Sequence, residues 1–307
     1  MRILLIAGGW SNEREVSLSG AKAIDQALQA LGHSVCFFDP ALSFAQLPGT
    51  AKDFDFAFIN LHGSPGEDGL IQAVLDQAGL PYQGSGPRES LLALNKAASK
   101  SLFEKASIAT PAWEFLPVRP QADWRPSLAF PFVLKPNSGG SSLNIHLIDS
   151  QAELDREMAP AFSRGDEILL EERIQGLEIT CGVLRDEPLP PILIQPADDS
   201  AFFDYFSKYT PGAARETCPA PISRELTKTI QDLALAVHKL LGLSGYSRTD
   251  FILANDRPFV LEVNTLPGMT RTSLIPQEAA AHGYSFQDLI RILIETGLLR
   301  HGQKGSR

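Results

Sequence analysis

Cysteine is scarce in this chain of 307 residues: three occur, Cys36, Cys181 and Cys218, far apart and odd in number. There is no CxxC and no Cys/His spacing of a zinc site, which excludes a disulfide-stapled scaffold and a zinc finger. Reduced thiols in a cytoplasmic protein are the expectation. A basic excess is missing too. The net charge is −9, so neither nucleic acid nor an anionic membrane surface is expected as a partner. No apolar run approaches the ~20 residues that span a bilayer, and the apolar start from Met1 to Gly9 reads as a buried strand, not a signal peptide. Internal repeats and low-complexity tracts are absent. So are two common phosphate-binding loops: neither GxxxxGK[ST] nor GxGxxG occurs, and Gly8-Gly9 has the wrong spacing for a dinucleotide turn. What remains is an ordinary globular composition, 44% hydrophobic and 21% charged, at a length that suggests two or three domains.

The order of elements points to an α/β chain. Residues 3–7, 34–39 and 54–61 read as strands separated by a helix that starts near Ser11 and ends at Gly32. A helix over 69–77 follows. This is an open parallel sheet, with ligands expected at the carboxyl ends of its strands. From about Leu91 the pattern changes. A helix is expected over 94–106 with Lys96 near its start, then a proline-rich link through Pro111, Pro117, Pro120 and Pro126. Strands at 132–135, 143–148 and 167–172, with a helix at 153–161, complete a middle region. Later strands are expected at 179–184 and 191–195, an irregular stretch at 198–218, a helix at 223–241, two further strands, and an amphipathic helix near 286–297 with a loose tail from His301. Domains of 1–90, 91–175 and 176–307 are expected.

The most informative residues lie on those two further strands. Arg248 and Asp250 are two apart, so strand alternation points both to one face, and the next strand carries Glu262 and Asn264 before the turn Pro267-Gly268. Two carboxylates and a carboxamide make an oxygen-only corner that suits Mg²⁺. A guanidinium beside it suits chemistry in which negative charge builds on oxygen. The turn after Lys135, with Gly139, Gly140, Ser141 and Ser142, is the best phosphate cradle in the chain. The irregular stretch carries Phe202, Phe203, Tyr205, Phe206 and Tyr209, too many aromatics for a disordered loop, and is expected to close as a lid. Taken singly, several of these residues have plainer readings: Glu13 as an acid at a helix N-terminus, Ser273 as an N-cap, and the carboxylate corner as a sheet-edge ion pair.

In combination the motifs are specific. Glu13-Arg14-Glu15-Val16-Ser17, Leu61-His62-Gly63 with Gly66-Glu67-Asp68-Gly69, Pro81-Tyr82-Gln83-Gly84-Ser85-Gly86, Lys135-Pro136 with Gly140-Ser141-Ser142, Lys208-Tyr209 and Glu262 through Thr270 resemble the D-alanine–D-alanine ligases of the ATP-grasp fold, from Ile3 to about Ile294. The resemblance implies an N-terminal open parallel-sheet domain and two α+β domains that sandwich ATP. It also implies a homodimer that makes D-alanyl-D-alanine for peptidoglycan through an acyl phosphate, with two Mg²⁺ ions, or Mn²⁺.

The same resemblance assigns roles. Lys96 and Lys135 would contact the ATP phosphates, with Ser142 in the turn and Lys208 on the lid. Glu171 and Ile174 would hold adenine and Glu178 the ribose. Asp250, Glu262 and Asn264 would hold the metal ions. Glu13 would bind the ammonium of the first D-alanine, with His62 near its carboxylate, and Ser141 and Tyr209 would join Glu13 in locking the lid. Arg248 and the Gly268 amide would stabilise an oxyanion. Ser273 and the Leu274 amide would take the second carboxylate. Tyr209 favours an amine over a hydroxy acid as second substrate. Departures from the pattern are Leu143-Asn144 for Val-Gly after Ser142, Phe206 for an acid, Phe203 for a Tyr and Asn95 for an Asp. An oxidoreductase built on Gly8-Gly9 lacks the third glycine. A non-catalytic nucleotide-binding module is opposed by the retained Arg248, Asp250, Glu262, Asn264, Lys208 and Tyr209.

Overall fold

Strand β1 (Arg2–Ala7) sits between β2 (Ser34–Phe38) and β3 (Phe56–Asn60) in a three-stranded parallel sheet, in a computed structural model that describes residues 1–121, 123–139, 144–196 and 214–304. Helix α1 (Arg14–Ala30) crosses from β1 to β2 and buries Ile24 and Leu28. Its start is fixed by polar contacts at the strand ends. Arg14 donates to both carboxylate oxygens of Asp39, and the Gly8 amide donates to Ser17 Oγ. Helix α2 (Leu70–Ala78) follows β3.

A second sheet, antiparallel, has the order β4 (Trp113–Leu116), β7 (Ile168–Glu172), β5 (Phe132–Pro136), β6 (His146–Ile148), with α5 (Gln151–Ser163) packed on it. The third sheet runs β11 (Ala214–Thr217), β10 (Ile192–Pro196), β8 (Leu177–Leu184), β12 (Tyr246–Ala254), β13 (Arg257–Asn264), with the short β9 (Glu187–Pro188) against β8. Helix α6 (Arg224–Leu240) covers it, burying Ile230, Ala234 and Val237.

The last two helices, α7 (Leu274–His282) and α8 (Phe286–Lys304), return to the first sheet. Ile275, Leu289, Ile290 and Leu293 share one apolar cluster with Ile3, Leu5, Phe56 and Phe58. The two ends of the chain therefore form one core, and the carboxyl ends of β1 and β3 are held against the end of β13.

Several expectations are corrected. The single helix over 94–106 is two helices, α3 (Pro87–Leu94) and α4 (Lys96–Lys105). Asn95 breaks them: its backbone is extended, and its side chain caps α4 by accepting from the Ala98 amide at 2.9 Å. The proline-rich link contains β4, tolerated because among the described residues it is an edge strand paired with β7 alone. Part of the stretch expected to be irregular is the edge strand β11. The loose tail from His301 is helical to Lys304, since Arg300 and His301 lie against the Tyr82 ring at 4.4 and 4.6 Å. Among the described residues no helix is long and apolar enough to cross a membrane.

Candidate active site

The register of the third sheet assembles one polar face. Arg248 stands opposite Asn264 and Asp250 opposite Glu262, while β8 places Gly182 beside Arg248 and Thr180 beside Asp250. Alternation then puts all these positions on the same side of the sheet. Arg248 Nε and Nη2 donate to the two oxygens of Asp250, each at 2.8 Å. Thr180 Oγ1 and Asn264 Nδ2 donate to the same carboxylate at 2.7 and 3.1 Å. Burial works against the Arg248 charge, but Asp250 outweighs it and holds the guanidinium above its ordinary value. A bulge between Asp250 and Phe251 ends the regular ladder beyond these residues.

This face is one wall of a cleft of about 470 Å³. The opposite wall comes from the loops after β1 and β3 and carries Glu13, His62 and Glu67. Glu13 occupies the N-cap position of α1, so the plainer reading of it as an acid at a helix N-terminus holds for its place, but its side chain makes no cap hydrogen bond. Burial draws the His62 imidazole below its ordinary value despite Glu13, leaving it neutral near pH 7. Its Nδ1 lies 3.1 Å from the Leu266 carbonyl, which can only accept, so the proton sits on Nδ1 and the in-plane lone pair of Nε2 is left as an acceptor. Burial, and then Glu13, push Glu67 up to about 8, although the Gly63 amide donates to it at 2.8 Å. A protonated acid is the result at neutral pH.

A second cleft, of about 290 Å³, adjoins the first and shares Glu13 and Glu262 with it. Lys96, Lys135, Ser138 and Gly139 line it. The break at Asn95 matters here, because it puts Lys96 at the first position of α4, with its amide bonded to the Asn137 carbonyl at 3.0 Å. A cation there opposes the helix dipole and is held instead by Glu262 at 3.1 Å and the Gly139 carbonyl at 2.7 Å. Lys135 donates to Glu171 at 2.6 Å.

At the other end of the first cleft, Ser273 is the N-cap residue of α7. Its hydroxyl turns away from the helix and meets the Thr270 amide at 3.0 Å and the Thr270 hydroxyl at 2.7 Å. The amide end of α7, beginning at Leu274, thus faces the cleft without a side-chain cap, a favourable place for an anion. Gly268 lies against it; a Cβ there would be 2.9 Å from Ser273 Oγ. Glu178 lines the same cleft. Glu171 and Ile174 do not line these two clefts: Glu171 is turned inward to the lysines, and Ile174 is half-buried in the link between β7 and β8. Ser141, Ser142, Lys208 and Tyr209 lie outside the described residues, as does most of the expected lid.

The model of the D-alanine–D-alanine ligase C-terminus matches residues 102–295. A D-alanine–D-alanine ligase of Oleidesulfovibrio alaskensis is 58% identical over 305 residues, 99% of each chain. The chain belongs to the D-alanine–D-alanine ligase family. A second such ligase, from Nitratidesulfovibrio vulgaris, is 58% identical over 99% of this chain and 100% of its own. Among solved structures, the Bacillus anthracis ligase complexed with ATP is 34% identical, covers 99% of this chain and 100% of its own, and superposes with a TM-score of 0.88. Another structure of the Bacillus anthracis ligase is 36% identical with a TM-score of 0.89. The α/β ATP-grasp fold expected from the sequence is the fold of this family and of this chain.

The corner at Asp250, Glu262 and Asn264 has the donor chemistry for Mg²⁺, two opposed carboxylates and a carboxamide facing a cleft. Among the described residues no group of three or more His, Cys, Asp or Glu is placed to hold a metal, so phosphate oxygens and water would have to complete the shell. Arg248 and Lys96 already hold these carboxylates, and a metal ion would compete with them. Two buried groups had no assigned role from the sequence. Glu67 stood in a quoted motif, and its environment is set by burial that spacing does not reveal. Lys100 is four residues after Lys96, the one signal that it shares the same helix face.

Proposed function

We propose that this chain joins two D-alanines into D-alanyl-D-alanine at the expense of ATP, the junction of the two clefts at Glu13 and Glu262 being the observation that carries the reading. Phosphate-binding lysines on one side and a carboxylate- and amide-lined cleft on the other meet where a phosphoryl group would pass to a carboxylate. Lys96 and Lys135 hold the triphosphate. The carboxylate of the first D-alanine, its ammonium on Glu13 and its carboxylate near His62, takes the γ-phosphoryl group and ADP leaves. Asp250, Glu262 and Asn264 would hold Mg²⁺, which would supply charge neutralisation for the phosphoryl transfer.

The amine of the second D-alanine, its carboxylate on the α7 amides and Ser273, then attacks the acyl carbon. Negative charge moves to the carbonyl oxygen, where the Arg248 guanidinium and the Gly268 amide receive it; the acyl C–O bond then breaks, and phosphate leaves with its electron pair and takes up the proton lost by the amine. Adenine binding at Ile174, ribose binding at Glu178 and lid closure through Ser141, Ser142, Lys208 and Tyr209 come from the family resemblance; Glu171, turned inward to Lys135 and Lys100, has no part in adenine binding in this reading. So do a homodimer and a cytoplasmic setting.

Phosphate release from ATP and Mg²⁺ against D-alanine, L-alanine, D-serine, D-lactate and glycine, with product masses, tests this. D-alanine-dependent release with a dipeptide product is expected. Release with another amino acid and none with D-alanine would overturn the substrate, and no release at all would overturn the ligase reading.

A further inference from the structure

Behind the lysine cleft lies a group that neither substrate can touch. Lys100 is fully buried, one helical turn after Lys96 on α4, and it forms an ion pair with Glu171 through the carboxylate oxygen that Lys135 does not use. Lys100 Nζ also donates to Thr110 Oγ1 at 2.5 Å, and Thr110 donates on to the Val260 carbonyl at 2.7 Å, two residues from Glu262 on β13. The result is a chain of charges across three elements: Lys135 on β5, Glu171 on β7, Lys100 on α4. Burial brings the Lys100 ammonium down to about 8, with Glu171 pulling it back up. Burial likewise raises Glu171, but Lys100 and then Lys135 outweigh it and hold it below the usual range. Glu171 is thus a carboxylate with one partner facing the cleft and one partner sealed behind it.

Three ammonium groups, Lys96, Lys100 and Lys135, pair with two carboxylates, Glu171 and Glu262, so Glu171 holds two of the cations. If Lys135 swings to a phosphate oxygen, Glu171 loses one partner inside the protein. A buried carboxylate left without any cation is strongly unfavourable. Lys100 is the residue placed to prevent that.

We propose that Lys100 is a positioning residue for nucleotide phosphate: it retains Glu171 when the Lys135 ammonium transfers from Glu171 to the nucleotide. This rests on the reading of the lysine cleft as the ATP site. Lys100 acts through Glu171 and touches no ligand itself, so its effect depends on Glu171 being charged and on the ligand carrying phosphate.

The test is the affinity of ADP and of adenosine, with Mg²⁺, for the full chain, for Lys100→Met and for Lys100→Met combined with Glu171→Gln. In Lys100→Met, Glu171 has only Lys135 and pins it. ADP affinity is expected to fall about 30-fold, while adenosine changes by less than about threefold. With Glu171→Gln added, Lys135 is released from a neutral residue, and most of the lost ADP affinity is expected to return. The double variant also removes the unpaired buried charge, so it decides the matter if Lys100→Met does not fold. Equal losses for ADP and adenosine, no loss in Lys100→Met, or a double variant as weak as Lys100→Met would each overturn the inference. A wild-type chain that binds adenosine and ADP equally would overturn the phosphate-site reading and this inference with it. A wild type that prefers ADP, beside an unaffected Lys100→Met, would overturn this inference alone.

Discussion

The two clefts handle charge in different ways. In the larger one the cation is an arginine, locked to Asp250 two residues along the same strand by two parallel hydrogen bonds of 2.8 Å. In the smaller one the cations are lysines, each paired with a carboxylate on a different element: Lys96 with Glu262, Lys135 with Glu171. A planar guanidinium in a bidentate pair has one orientation, which suits a group that must meet an oxyanion at a fixed place. An ammonium on a four-carbon stem is a point charge that can change partners. In the proposed reading the fixed cation serves the charge that develops during amide formation, and the movable ones receive the triphosphate.

The severest way to break this contrast is at the residue common to both clefts. Glu262→Gln is expected to lower turnover by about a thousandfold or more, because Glu262 pairs with Lys96 and would, in the proposed reading, hold the metal. Phosphate release measures this, and an unchanged melting temperature would show that the fold survives. Arg248→Lys keeps the charge and removes the fork. Dipeptide formation is expected to fall about 100- to 1,000-fold. Ser273→Ala removes one hydroxyl at the α7 amide end. KM for the second D-alanine is expected to rise about tenfold, with KM for ATP unchanged, in initial-rate measurements with each substrate varied.

A pH dependence of stability, read separately from activity, sharpens the contrast. The Glu67 carboxyl is raised from 4.5 to about 8 on folding. Between those values the folded state keeps a proton that the unfolded state has released, so stability falls as pH rises from about 4.5 to about 8, by at most about 1.4 kcal/mol per pH unit. Denaturant melts of wild type and Glu67→Gln across this range check it. The difference between the two should change with pH in that window and become flat above it.

The face that carries Arg248, Asp250, Glu262 and Asn264 was legible because strand alternation is a local rule, and two short apolar strands with polar residues at every second place obey it. The parallel sheet was legible from the β-α-β-α order of short apolar runs, of which β1 and β3 are buried along nearly their whole length. The break at Asn95 was not, since the periodicity runs through it and only the cap shows where α4 begins. The strand at Trp113–Leu116 was hidden by flanking prolines. The return of α8 to the first sheet depends on packing against α1 and β3 from the other end of the chain, and nothing in local pattern records it. Lys100 and Glu67 read as ordinary surface charges until burial gives them their partners.

The division between fixed and movable cations is tested most directly by separating the two chemical steps in Arg248→Lys. With ATP labelled by ¹⁸O in the β,γ-bridge, scrambling in the presence of D-alanine reports reversible phosphoryl transfer, and dipeptide formation reports the amine attack. If Arg248 serves the oxyanion, scrambling should persist within about tenfold of wild type while dipeptide formation falls at least 100-fold. Equal loss of scrambling and of dipeptide would contradict it, and would place the arginine with the lysines in phosphoryl transfer.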